Sequence, residues 1–360
     1  MVKRIEWIQI SWGKLPTMNN KTAVIGAGSW GTALANILAE NGHSTKIYAR
    51  DKRVVNSINN ENYNFKYFPE YQLNPNLKAS DNLTDTLDEA DIVVISVPTK
   101  AVREISEKLK KLVDHNTLIV STAKGIEEDS FKVNSEIIKD YGFNNVVVLS
   151  GPTHAEEVIA EIPTAVVSAS RNRENAEKVQ DLFMTSYFRV YTNPDVVGVE
   201  LGGAVKNVIA LASGICDGLN FGDNTLAALI TRGLRELSRF VEYHSGNKMT
   251  TSGLSGMGDL VVTCTSNHSR NRRFGIEIGK GKSIEEAENE VEQVVEGVKT
   301  TRAIFNWLQK EKINLDMPIT YQVYQVLFKG KDPYKAVEEL MLRSRKHEME
   351  AVVDNSLWNI

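Results

Sequence analysis

Cysteine is almost absent: Cys216 and Cys264 are the only two in 360 residues, and no CxxC pair exists. That argues against a disulfide framework or a thiolate metal centre and reads as a reducing compartment. No run of eighteen apolar residues occurs, and Met1-Val-Lys-Arg-Ile-Glu-Trp-Ile-Gln-Ile-Ser-Trp lacks both a long apolar core and a small-residue cleavage site. The expectation is a cytoplasmic chain, neither secreted nor inserted in a membrane. Lysine and arginine form no block and the formal net charge is only −4, so neither nucleic acid nor an anionic membrane is an evident partner. No second histidine lies at ligand spacing from His154, which points to a packed or solvated ring and to no metal. Internal repeats and low-complexity segments are missing too.

What is present begins at Lys21-Thr-Ala-Val-Ile25, a short apolar strand that runs into Gly26-Ala-Gly28-Ser29-Trp30-Gly31. The helix-period run Ala33, Leu34, Ile37, Leu38 follows at once. Gly26 permits the tight turn, Gly28 lets the backbone approach phosphates, and Gly31 lets the new helix pack on its strand. The helix start then points unpaired N–H groups at an anion. Three glycines at this spacing can also form a purely structural turn. Here, however, Gly42 stops the helix and Ser44-Thr-Lys-Ile-Tyr48 resumes an extended pattern. Strand, helix and strand within about thirty residues predict a dinucleotide seat.

The tip of that second strand bears on cofactor choice. Arg50 comes first and Asp51 only after it. A guanidinium suits a 2′-phosphate and an Asp at the same tip would repel it, so NADPH is slightly favoured and NADH stays open. Arg50 as a plain solvated charge is the alternative.

Further strands are predicted at Asp91–Val97, Thr117–Ser121, Asn145–Leu149 and Thr164–Ser168, with Phe188–Tyr191 as an edge strand. Beyond residue 195 the pattern turns helical: Gly198–Ile215, Asn224–Tyr243, Ser283–Val291, Thr300–Glu311, Ile319–Phe328 and Tyr334–Met341. The fold class is therefore α/β, an N-terminal Rossmann doubly wound sheet followed by an all-α domain. The divisions read as residues 1–20 an extension outside the fold, 21–195 the dinucleotide domain, 196–345 the helical domain and 346–360 a tail. Met18 stands as a possible internal start, and residues 1–17 are expected to add nothing to catalysis.

Lys206 lies alone among small and apolar residues in Leu201-Gly-Gly-Ala-Val-Lys206-Asn-Val-Ile-Ala. Burial disfavours an ammonium and makes such a lysine able to exchange a proton near neutral pH, whereas a snorkelling stem would do nothing. The glycines and alanines of this helix, Gly202, Gly203, Ala204, Ala210 and Ala212, would admit a backbone or ligand. Leu254-Ser-Gly-Met-Gly258-Asp259 ends in a carboxylate that can orient an ammonium, bond a hydroxyl or cap a helix. Ser269, Arg270 and Asn271, near a predicted helix start, suit a phosphate or form a solvated basic turn. Two strand-end loops, with Lys124 in one and Gly151, Thr153, His154 and Ala155 in the other, fall where open parallel sheets bind ligands. Lys124 as a surface charge and Thr153 as a helix cap are the plainer readings.

Taken together, GAGSWGTALA, STAKGIE, SGPTHAEEV, LGGAVKNVIA, GLSGMGDLVVTCTSNHSRNRRFG and VVEGVKT resemble the NAD(P)-dependent glycerol-3-phosphate dehydrogenases of the bacterial, soluble type. The resemblance runs in order over residues 21–345. It implies a two-domain layout like that of 6-phosphogluconate dehydrogenase and reduction of dihydroxyacetone phosphate to sn-glycerol 3-phosphate for phospholipid synthesis. By the same resemblance Lys206 transfers the proton. Gly26, Gly28, Ser29, Trp30, Gly31, Arg50, Lys124, Ala155, Arg270, Val294 and Glu296 would meet NADPH or NADH. Lys124, Gly151, Thr153, Asp259, Ser269, Arg270 and Asn271 would meet a small phosphorylated triose, with Arg270 and Asn271 on its phosphate. A homodimer is the default assembly.

Two other readings stand beside it. One is another two-domain β-hydroxyacid-type or nucleotide-sugar NAD(P) dehydrogenase, although neither cysteine lies in a loop suited to four-electron sugar oxidation. The other is a non-catalytic NAD(P)H-binding regulator, against which an intact Lys206 speaks.

Overall fold

The computed structural model describes residues 19–291, 295–345 and 348. Eight strands form one sheet: β1 (Lys21–Ile25), β2 (Ser44–Tyr48), β3 (Lys78–Ser80), β4 (Ile92–Ile95), β5 (Leu118–Ser121), β6 (Val146–Ser150), β7 (Thr164–Ala169) and β8 (Phe188–Asn193), in spatial order 3-2-1-4-5-6-7-8. The helices among them are α1 (Ser29–Glu40), α2 (Lys52–Glu61), α3 (Leu83–Leu87), α4 (Thr99–Leu109), α5 (Asn134–Asp140), α6 (Ala155–Ile159) and α7 (Arg173–Phe183). Strands β4, β5 and β6 are buried at every position, as strands covered on both faces must be. The chain order reverses between β1 and β4, which pair in register from Thr22 with Ile92 to Ile25 with Ile95. A ligand crevice opens at such a switch point, beyond the strand ends.

The Rossmann sheet and the helical region that follows it are those expected, with three differences. Strand β7 runs antiparallel to β6, with Leu149 opposite Ser168. The short helix α6 between them only turns the chain round, whereas a parallel return needs a longer crossover. Strand β3 was not anticipated, because three residues carry no readable period. Helices α2, α3, α5 and α7 also lacked a predicted span. α2 and α7 start at Asp51 and Asn172, whose side chains accept the Arg53 and Asn175 backbone N–H groups.

After β8 the described residues form α8 (Val196–Gly218), α9 (Asp223–Tyr243), a 3₁₀ turn (Lys248–Ser252), a π-helical turn (Leu254–Gly258), α10 (Asp259–Thr265), α11 (Arg270–Gly279), α12 (Ile284–Val291), α13 (Glu296–Lys310), α14 (Pro318–Lys329) and α15 (Pro333–Met341). Helix α8 is long and apolar enough to cross a bilayer, yet nearly all of it is buried inside the fold as the core helix. It meets α11 backbone to backbone. A Cβ placed on Gly214 would fall 2.0 Å from the Arg272 carbonyl oxygen, and one on Gly275 would fall 2.2 Å from that of Leu211. Only hydrogen fits at these crossings, so the pair of helices is locked at one distance.

The segment after β5 is tied to the helices. Ile126 and Val133 belong to the helical core, and the Phe131 ring stacks on Trp307 with centroids 4.5 Å apart. Buried Glu200 of α8 accepts hydrogen bonds from the Ser135 backbone N–H and hydroxyl. Burial pushes the Glu200 carboxyl up to about 7.

Replacing Gly275 with alanine forces α8 and α11 apart. Gly275→Ala is expected to lower unfolding free energy by about 3 kcal/mol, read from the urea midpoint, because overpacking against backbone has no side chain to yield.

Candidate active site

Two lysines from different parts of the fold converge on one carboxylate. Lys124 lies just past the end of β5 and Lys206 lies in the middle of α8. Asp259 opens α10, directly after the π-helical turn, where Gly256 backs so closely on Thr251 that a Cβ would fall 2.1 Å from its carbonyl oxygen. Lys124 Nζ donates to Asp259 Oδ2 at 2.8 Å, and Lys206 Nζ donates to Asp259 Oδ1 at 2.5 Å. Lys206 also donates to Thr263 Oγ1 at 2.7 Å, and the Thr263 hydroxyl donates to the Asp259 backbone carbonyl. Asp259 is thus an ion-pair partner and not a helix cap.

Lys206 is 6% exposed and Asp259 1%, so the lysine does not snorkel to solvent. Burial pushes the Lys206 ammonium down to about 8, with the nearby Lys124 charge adding to the fall and Asp259 opposing it. Burial alone would raise the Asp259 carboxyl, but Lys124 and Lys206 outweigh it and hold the group below its usual value. Lys124 further donates to the Gly151 carbonyl at 2.8 Å and to Thr153 Oγ1 at 3.3 Å. The β5 and β6 loops are thereby joined to the same cluster. Thr153 does not cap α6; His154 occupies that position without a side-chain bond.

The turn before α11 is built for rigidity. Ser269 caps the helix by accepting the Arg272 N–H. Asn271 Nδ2 donates to Asn207 Oδ1 at 3.0 Å, and Asn271 Oδ1 accepts the Gly297 N–H at 2.9 Å. The Asn271 amide thereby braces α8, α11 and α13 against each other, and these two bonds use one of its two Nδ2 hydrogens. Arg270 is exposed at the helix start. Thr263 and Asn207 were missed as members of this neighbourhood. Thr263 had one signal, its place one helical turn after Asp259, whereas Asn207 shows its role only once α8 and α11 are packed.

Glu296 opens α13, and burial raises its carboxyl while Lys299, Arg270 and the Thr99 N–H pull it down. It lies against the Lys124 loop, since a Cβ on Gly125 would come 3.1 Å from Glu296 Oε2. Val294 falls outside the described residues. Ala155 is buried as the first residue of α6, and Ser29 and Trp30 open α1. Arg50 is exposed, while Asp51 is drawn into the α2 cap and an ion pair with Arg53 that holds it down at about 2. Burial disfavours a thiolate at both cysteines, pushing Cys216 up to about 11 and Cys264 up to about 12.

The N-terminal model of the NAD-dependent glycerol-3-phosphate dehydrogenases matches residues 21–176, and the C-terminal model matches 195–338. A glycerol-3-phosphate dehydrogenase (NAD(P)+) of Halothermothrix orenii is 57% identical over 341 residues, covering 95% of this chain and 100% of that one. One of Clostridium botulinum is 52% identical over 330 residues, covering 92% and 99%. The crystal structure of glycerol-3-phosphate dehydrogenase from Coxiella burnetii superposes with a TM-score of 0.85 at 40% identity, covering 90% of this chain and 99% of that one.

The chain belongs to the NAD-dependent glycerol-3-phosphate dehydrogenase family.

The glycine turn fits the dinucleotide that the family's name implies. A Cβ on Gly26 would fall 2.4 Å from the Ser96 carbonyl oxygen and one on Gly31 would fall 1.9 Å from that of Gly26, so both glycines are required by the protein itself. A Cβ on Gly28 would meet nothing within 4 Å. The open space lies before the first turn of α1, which holds no acidic residue to repel an anion. Gly28→Ala is therefore expected to keep the melting temperature while weakening NADH and NADPH binding about tenfold, by fluorescence titration. Gly31→Ala is expected to lose the fold.

Proposed function

We propose that this chain interconverts dihydroxyacetone phosphate and sn-glycerol 3-phosphate with NADH or NADPH. The observation that carries the reading is the buried Lys206 ammonium held on Asp259 beside the sheet's ligand edge. When bound, the reduced nicotinamide supplies a hydride to the ketone carbon. Lys206 then does the complementary work, stabilising the negative charge that grows on the carbonyl oxygen and giving it a proton. Asp259 orients that ammonium, and Thr263 fixes its second donor direction. Lys124, bonded to Gly151, Thr153 and Asp259, keeps a second positive charge beside the reacting oxygen.

Arg270, with Ser269 capping the same turn, is the phosphate-holding group, and Asn271 keeps that turn in register with Lys206 through Asn207. Binding energy from the phosphate then aligns a substrate with few other handles. Ser29, Trp30, Ala155 and Glu296 line the dinucleotide's path. Arg50 at the β2 tip favours a 2′-phosphate, all the more because Asp51 is occupied with Arg53. This direction of reaction supplies glycerol 3-phosphate for phospholipid synthesis.

An absorbance assay at the nicotinamide band tests the reading. Dihydroxyacetone phosphate should be turned over much faster than dihydroxyacetone, with NADPH at least equal to NADH. Equal rates on the two ketones would overturn phosphate recognition.

Lys206 also sets a pH dependence whose sign is fixed by its two roles. Below about 8 the amine is protonated and can donate; above it the amine is neutral and can accept. Reduction should fall and glycerol 3-phosphate oxidation should rise as pH passes that value. Lys206→Ala should cut turnover about a thousandfold and leave NADPH binding unchanged.

A further inference from the structure

His154 stands between Thr153 and Ala155 at the sheet edge, and its Nε2 is buried with no hydrogen-bond partner among the described residues. A buried ring nitrogen left unpaired costs about 1–3 kcal/mol, so it calls for a partner that the bare protein does not supply. Across the cleft, the His268 ring lies 5.7 Å away by centroids with the planes inclined at 49°. His268 immediately precedes Ser269 and Arg270, and so belongs to the helical region, whereas His154 belongs to the sheet. The two imidazoles thus face each other between the parts of the molecule that carry the two ends of the proposed substrate.

The charges around His154 agree with that position. Burial holds its imidazole below the ordinary value and the Lys206 ammonium of α8 pushes the same way, while Glu157 and Glu156 of α6 oppose them and His268 adds the smallest push downward. Its neighbours are thus the proton-transfer lysine and, through His268, the turn that carries Arg270. A dianion arriving there reverses the electrostatic balance, because a negative charge close to an imidazole favours its protonated form.

We propose that His154 is a substrate-specificity residue, donating from Nε2 to the phosphate of the triose and taking up a proton as that dianion binds, with His268 covering its far face. The proposal rests on the reading of Lys206 and Arg270 as the two ends of the substrate site. It adds a fourth cationic group along the ester, after Lys206, Lys124 and Arg270, one that is charged only when the phosphate is present.

Kinetics and calorimetry on the full chain saturated with NADPH test it. His154→Phe keeps an aromatic ring of similar size but no polar atom. It should raise the KM for dihydroxyacetone phosphate about tenfold, as loss of a charged hydrogen bond does. The kcat, the NADPH affinity and the slow turnover of unphosphorylated dihydroxyacetone should not change. Titrating dihydroxyacetone phosphate in two buffers of different ionisation enthalpy should show proton uptake in the wild type that is lost in the variant. His154→Gln, which donates without titrating, should recover part of the affinity and none of the uptake, and it carries the test if the Phe variant does not fold. An unchanged KM with unchanged proton uptake overturns the proposal, and so does an equal loss on dihydroxyacetone. A wild type that fails to prefer the phosphorylated ketone overturns the underlying reading instead, so the two failures are separable.

Discussion

The Asp259 carboxylate, held between the ammonium groups of Lys124 and Lys206, is the constraint on which the rest of the site depends. It joins three pieces of chain that are far apart in sequence: the loop after β5, the middle of α8 and the start of α10. Burying three charges is costly, and apolar residues of the same volume often stabilise a fold as well or better. The arrangement is therefore better explained by what it does than by what it holds together. It fixes the direction in which Lys206 presents its remaining hydrogen, and it leaves one uncompensated positive charge in a nearly dry crevice.

Placing that charge to within a fraction of an ångström is the task of the glycines. Helix α8 carries Lys206, and α11 begins with the Arg270 turn; where the two helices cross, Gly214 and Gly275 let the backbones touch. The Asn207–Asn271–Gly297 chain of hydrogen bonds pins the same crossing at the site end. The distance between Lys206 and the Arg270 turn is thus set by backbone contact, which has no rotamers to relax into. On the sheet side, the Phe131 stack on Trp307 and the Glu200 bonds to Ser135 tie the Lys124 loop to the helices. These contacts hold the loop, and with it the Lys124–Asp259 pair, against the helices.

Much of this was legible in the chain. The glycine turn was readable because its spacing is itself the chemistry of a phosphate seat, and Lys206 because one charge in a run of small and apolar residues demands a reason. The Rossmann sheet followed from strands that are apolar throughout. What escaped notice depends on contacts between segments that carry no mark of each other. Asp259 was visible as a carboxylate after a glycine-rich turn, but nothing local said that it would be shared by two lysines. Asn271 sits in a basic, hydroxyl-rich cluster that suits an anion, and nothing local said that its amide would also reach Asn207 across the helix crossing. The antiparallel turn of β7 was hidden because its side-chain alternation is the same in either direction.

The leftover charge also explains why one cluster can serve both directions of a hydride transfer. With Lys206 protonated, Lys124 and Asp259 cancel, and in the proposed reaction the lysine would meet a developing alkoxide as a full cation. With Lys206 neutral, the Lys124–Asp259 pair remains intact, so losing the proton strands no carboxylate in the interior. A lone lysine and aspartate would lack this property, since deprotonating the amine would leave a buried anion without a partner at a cost of several kcal/mol. The second lysine therefore makes the deprotonated state tolerable. Because Lys124 comes from the sheet and Lys206 from the helices, only the assembled fold has it.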